Sequence, residues 1–171
     1  MKVLGVDPGS HRTGWGVVAQ AGSRLRLIDS GLITAPPSSL PERLKAIADG
    51  LGEVLEKHHP DAVAIEAVFH AKNSQSALKL GHARGVALLC VAQAGATLFE
   101  YSPSEIKRAA TGSGRASKQE VLRMVQTLLG HTGALSLDTS DALAAAICHI
   151  HAAPAREILA AADARQHGRR E

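Results

Sequence analysis

Four carboxylates stand where a carboxylate is costly. Asp7 closes the apolar run VLGVD, and Glu66 closes AVAIE. Asp138 and Asp141 open LDTSDALAAAICHIH, which turns apolar from Ala142 to Cys148. An ionised carboxylate beside a core is unfavourable unless it is paired, caps a helix or binds a metal. The plain reading of the last two is capping, because acidic residues in a first helical turn are favoured by the helix dipole. Asp7 and Glu66 also admit a plain reading, as turn residues or ion-pair partners. Taken together the four point further. Residues three apart on a helix share a face, so Asp138 and Asp141 can point the same way. If the strands ending in Asp7 and Glu66 are neighbours and the helix packs over their ends, all four converge. Crowded carboxylates repel, and divalent cations relieve that repulsion. An all-oxygen donor set suits Mg²⁺ or Mn²⁺ rather than zinc. Two such ions about 4 Å apart clamp the attacking and leaving oxygens of an in-line phosphoryl displacement, and one makes hydroxide from its bound water. The implied chemistry is phosphodiester hydrolysis. His149 and His151 face different ways on a helix and make a poor ligand pair.

The elements that must position these residues read as follows. Residues 2–7, 14–20 and 25–34 are strands of a meander, turning at Pro8-Gly9 and Ala21-Gly22. Ser39 and Pro41 announce a helix that runs to about His58 and stops at Pro60. Residues 62–67 form a short buried strand, 73–94 a long helix ended by Gly95, and 97–101 a fifth strand. Two capping boxes, Ser102 with Glu105 and Ser117 with Glu120, each start a helix, with the basic loop TGSGRAS between them. Another helix opens at Asp138, and Pro154 is expected to start a last one. The sum is a five-stranded mixed sheet flanked by helices, an α/β fold in a single domain.

Composition narrows the partners. Aromatic residues make up 2% of the 171, so the core must be built from Ala, Val, Leu and Ile. Residues 72–123 carry eight basic side chains against three acidic ones, a surplus of five where the whole chain carries +3. A basic middle fits a polyanion, although a solvated helix face explains it as well. Cys90 and Cys148 lack metal or redox spacing and read as reduced core thiols. The expected setting is the cytoplasm, with no membrane segment.

Three blocks carry a specific resemblance: VDPGSHRTGWG, IEAVFHAKNSQSALKLGHARGVA and DTSDALAAAICH. Together they resemble the RuvC family, the bacterial Holliday junction resolvases of the RNase H-like superfamily. DPG alone is weak, since actin-like ATPases begin with a similar turn; the middle block and its spacing to Asp7 and Asp138 are specific. The resemblance implies an RNase H-like nuclease domain over residues 1–155, then a C-terminal helix and polar tail over 156–171. It implies that Asp7, Glu66, Asp138 and Asp141 are catalytic and hold two Mg²⁺ ions, with Mn²⁺ able to substitute. Some members carry histidine at the position matching Asp138, so the weight falls on Asp7, Glu66 and Asp141. Lys107 and Lys118 match basic positions near the scissile phosphate, where a lysine neutralises charge in the transition state. From the residues alone each reads equally as an exposed lysine after a helix start. Phe69 is implied to wedge or stack on bases of a distorted junction. Lys72 and Arg115 are further nucleic-acid candidates, as are His11 and Arg12 for backbone phosphates. The resemblance also implies a homodimer through the helix at 73–94, where Gly81 and Gly85 permit close approach. Its partners are then four-way DNA junctions and the RuvA–RuvB branch-migration machinery.

Other readings stay open at this point. One is an RNase H-like nuclease acting on RNA or an RNA–DNA hybrid. An actin-like ATPase needs two such domains, and 171 residues supply one. A junction-binding scaffold would gain nothing from gathering four acids beside phosphate.

Overall fold

The computed structural model describes residues 1–67 and 74–167. Alternation puts successive side chains of β1 (Lys2–Asp7) on opposite faces. Leu4 and Val6 belong to one apolar cluster and Val3 to another, so Gly5 and Asp7 share the Val3 side. β2 (Arg12–Ala21) returns antiparallel to β1, and β3 (Arg24–Thr34) pairs antiparallel with β2. α1 (Leu40–His58) carries the chain back, β4 (Ala62–Glu66) lies parallel to β1, α2 (Ser74–Gln93) returns, and β5 (Thr97–Tyr101) lies parallel to β4. The sheet order is β3-β2-β1-β4-β5. α3 (Pro103–Thr111), α4 (Lys118–Leu129) and α5 (Leu137–His167) complete the chain. The mixed α/β sheet expected from the sequence is present.

Two layers of helix bury the two faces. α1 and α2 pack through Ile47, Leu51, Ala83 and Ala87 against Leu4, Val6, Val63 and Ile65. α3, α4 and α5 pack through Ile106, Val125, Leu143 and Ile147 against Val3, Val18, Ala62 and Ala64. With strands this poor in bulk on the second face, α5 can lie very close to the sheet. Gly5 makes that possible. A Cβ there would sit 1.8 Å from the Ala142 carbonyl oxygen. Gly14 does the same at the start of α5, where a Cβ would meet the Asp138 carbonyl at 2.1 Å. An isolated glycine inside a strand is the signature of such close backbone approach.

The helix starts follow their local signals. Glu105 Oε2 accepts from Ser102 N at 2.7 Å while Ser102 Oγ accepts from Glu105 N at 3.3 Å. Ser117 and Glu120 repeat this pairing at the start of α4. α1 ends at His59, whose φ of 42° is left-handed and whose N–H donates to Leu55 O, just before Pro60.

Two expectations need correction. Pro154 does not start a helix; it lies inside α5. Proline removes the N–H that would bond Ile150 O and crowds that carbonyl, but nothing among residues 149–153 supplies a glycine-type C-cap or an N-cap side chain to redirect the chain, and proline's fixed φ is itself helical. Beyond the proline, the Arg156 guanidinium lies over the Tyr101 and Phe99 rings at 5.0 and 5.5 Å, which holds the next turn on β5. The second strand begins at Arg12 rather than 14, because pairing with β3 continues through Thr13↔Ile33 and Arg12↔Thr34.

Candidate active site

The strand register brings two of the carboxylates together. Val6 lies opposite Ile65 in the parallel β1–β4 pair, so the residues that follow, Asp7 and Glu66, end neighbouring strands side by side. Alternation points both toward the α5 face, since Val6 and Ile65 belong to the opposite cluster. α5 begins at this same rim, its first turn pressed on Gly14, which pairs with Asp7. Asp138 and Asp141 therefore arrive over the strand ends. The loop that leaves Asp7 is braced by Thr13, a fully buried residue whose hydroxyl donates to Gly9 O at 3.2 Å.

The electrostatics record the convergence. Burial, then the charges of Asp141 and Glu66, push the Asp7 carboxyl up to about 7; Asp138 adds to this and Lys118 opposes it. Glu66 is also raised, by burial and then by Asp141, with Lys118 and Lys107 opposing. Lys118 Nζ donates to Asp141 Oδ2 at 2.7 Å. This hydrogen bond, reinforced by the charges of Asp141, Asp7 and Asp138, outweighs burial and holds the ammonium above its usual range. A cleft of about 190 Å³ is lined by Glu66, Lys107, Lys118 and Asp141 among others.

This donor set is short of positive charge and wholly oxygen, the chemistry that hard divalent cations satisfy. Among the described residues, no three acidic, histidine or cysteine side chains stand close enough together to grip an ion in the arrangement seen. Asp141 is paired instead with the Lys118 ammonium at 2.7 Å. The residues fit hard cations in kind, with Lys118 standing where part of the compensating charge is needed.

The remaining predicted residues fall as follows. Lys107 is half-buried on α3 and shares the cleft, while Arg115 is exposed in the α3–α4 loop. Phe69 and Lys72 lie outside the described residues. His149 is not a ligand; it is buried with Nδ1 2.8 Å from the Tyr101 hydroxyl and its ring 4.2 Å from that of Phe99. Sequence reasoning missed three positioning residues, Gly5, Gly14 and Thr13. The one signal in the sequence was a glycine inside each strand run, and what it admits shows only once α5 lies on the sheet. A larger cavity of about 1000 Å³ lies between α1 and α2 at the opposite end of the sheet and shares no residue with the carboxylates.

The family model described as crossover junction endodeoxyribonuclease RuvC matches residues 3–149. The chain belongs to the RuvC family. The crossover junction endodeoxyribonuclease RuvC of Bordetella avium is 50% identical over 160 residues, 93% of this chain and 88% of that protein. The same-named protein of Pelobacter propionicus is 49% identical over 152 residues, covering 88% and 86%. The structure of Thermus thermophilus RuvC in complex with a Holliday junction substrate is 36% identical, with a TM-score of 0.83 over 88% of this chain and 93% of that one. At 15% identity and a TM-score of 0.63, the yeast mitochondrial Holliday junction resolvase Ydc2 shares the fold alone. The α/β architecture is thus the RNase H-like fold of RuvC and related resolvases.

Proposed function

We propose that this RuvC-family nuclease binds four-way DNA junctions as a homodimer and resolves them by paired, symmetric phosphodiester cleavage in recombination and repair. The observation that carries this reading is the gathering of Asp7, Glu66, Asp138 and Asp141 around Lys118 at one rim of the sheet. Those four carboxylates would hold two Mg²⁺ ions, with Mn²⁺ as a substitute. When bound, the ions activate water and stabilise the attacking and leaving oxygens. Partial burial of Asp7 and Glu66 lowers the screening of their charges, while the exposed Lys118 keeps the site open to an incoming phosphate. Lys107 and Lys118, in the same cleft, neutralise the scissile phosphate, and Arg115 in the exposed loop contacts the flanking backbone. Phe69 is assigned to the distorted bases at the junction centre and Lys72 to phosphate. The chain would work in the cytoplasm beside RuvA and RuvB. None of its described helices is long and apolar enough to cross a membrane.

The test is cleavage of a synthetic four-way junction by the full chain with Mg²⁺, in competition with an RNA–DNA hybrid. Symmetric nicks on the junction support the reading; preference for the hybrid overturns it. Lys118→Ala is expected to slow single-turnover junction cleavage by about a hundred-fold, the scale of losing one group that stabilises transition-state charge. An unchanged rate would remove Lys118 from the chemistry.

The dimer is supported by the outer side of α2. Leu78 and Leu89 are 63% and 57% exposed, and nothing lies within 4 Å of a Cβ at Gly81 or Gly85. Large apolar side chains flanking small ones at helical spacing make a face suited to a second copy of the same helix. Leu89→Glu is expected to shift the chain from dimer to monomer in sedimentation and to uncouple the two nicks. A variant that stays dimeric would place the interface elsewhere.

A further inference from the structure

We propose that Arg43 and His11 form a phosphate clasp on the β2–β3 side of the carboxylate cluster, holding a backbone phosphate of the DNA strand that flanks the cut. The inference rests on the reading of the chain as a junction nuclease and extends it to Arg43, which has no role in that reading, beside His11, already a candidate for a backbone phosphate. His11 lies in the turn that leaves Asp7, and its carbonyl accepts from Ala35 N at 3.0 Å, which ties the turn to the end of β3. β3 ends at the carboxylate rim, since Thr34 pairs with Arg12, and α1 starts from there. Arg43, in the first turn of α1, is therefore held at the same rim, with Nη1 3.5 Å from His11 Nε2.

This guanidinium has no counter-charge. Among the described residues the Lys and Arg ion pairs are those of Lys45, Lys57, Arg84 and Lys118, and Arg43, like Arg12, Lys107 and Arg115, has no carboxylate within ion-pair distance. The adjacent acid, Glu42, gives its Oε2 to the N–H and hydroxyl of Ser39 at 3.0 and 2.7 Å. Arg43 Nε is buried without a hydrogen-bond partner. That nitrogen is closed to solvent, so a phosphate meets the Nη groups, of which Nη1 lies beside His11. The guanidinium's Nη groups suit a phosphate; because Arg43 Nη1 can only donate, His11 Nε2 accepts from it, and the donor that His11 offers is its Nδ1–H. The cations recognised from sequence on the later helices, Lys107, Arg115 and Lys118, belong to α3, α4 and the loop between them, which pack with α5 on one face of the sheet. On the β2–β3 side, Arg43 and His11 stand with Arg12 of β2 along the path of a strand that crosses Asp7.

The experiment measures binding of a fluorescent four-way junction to the full chain, with Ca²⁺ in place of Mg²⁺, over about 50–200 mM salt. Losing one phosphate contact lowers the slope of log K against log salt by about one. Arg43→Gln is expected to show that loss and to weaken binding about three- to ten-fold at the upper salt, the larger share of its effect on cleavage appearing in affinity rather than in the plateau rate. Arg43→Lys keeps the charge and is expected to keep most of the slope. Glu53→Gln, at the opposite end of α1, should change neither quantity. If Arg43→Gln binds with the wild-type slope, or if the glutamine and lysine variants lose thermal stability together with no change in slope, Arg43 only braces the loop and the clasp is overturned. If the wild-type chain does not bind the junction at all, the nuclease reading fails first, and the two failures are told apart.

Discussion

Asp7→Asn is expected to reduce metal-dependent junction cleavage by about a thousand-fold or more, and at the same time to stabilise the metal-free fold at alkaline pH. Both effects come from one carboxylate held where its charge is opposed. Burial first, then Asp141 and Glu66, raise its pKa from 3.8 to about 7. Below pH 3.8 the group is protonated in folded and unfolded chains alike and imposes no charge cost. As pH rises through about 7 the folded chain must give up the proton, and the favourable contribution of the protonated form is lost. A shift of this size corresponds to a destabilisation of about 2–4 kcal/mol above pH 8, at 1.36 kcal/mol per unit and allowing for relaxation. Asparagine carries no charge to desolvate. In urea denaturation with a chelator present, Asp7→Asn should be the more stable chain at pH 8, with the gap narrowing toward pH 4. The active-site assignment predicts that the same variant still binds junctions while failing to cut them. Parallel pH profiles for the two chains would show that Asp7 is not under this strain, and wild-type cleavage by the variant would remove it from the chemistry.

Gly5→Ala should destabilise the fold by about 3 kcal/mol or more and abolish cleavage with it. The added methyl would sit 1.8 Å from the Ala142 carbonyl oxygen and 2.9 Å from Ala146 N, both backbone atoms of α5. No side chain can swing aside to relieve that clash, so the helix must back away from β1. The buried layer of Ala142, Leu143, Ala145 and Ala146 then loses its contacts. Asp138 and Asp141 move with the helix that carries them, so stability and activity fall together. Gly52→Ala provides the contrast. It lies within α1 with nothing inside 4 Å of an added Cβ, and should stabilise by about 0.5–1 kcal/mol. Equal denaturation midpoints for Gly5→Ala and the wild type would mean that α5 does not approach β1 in this way.

The five strands, the three capped helix starts and the four acidic positions were all legible in the linear chain. Each rests on forces that act over a few residues: alternation along a strand, or a serine and a glutamate three apart satisfying each other's backbone. The family blocks added the expectation that the acids belong together. What the chain alone did not disclose depends on how distant surfaces meet. Pro154 looked like a helix start because proline favours first turns, and it became a helix interior because no neighbouring residue caps the chain there and Arg156 packs on Phe99 and Tyr101. The ammonium on Asp141 comes from 23 residues away, and the imidazole beside Arg43 from 32. The distance between helix and sheet was set by missing atoms at Gly5 and Gly14, which have meaning only once α5 lies against them. Local pairing can be read from local sequence, whereas the charge environment of a carboxylate depends on everything within a few ångströms of it. That shell is assembled by tertiary packing.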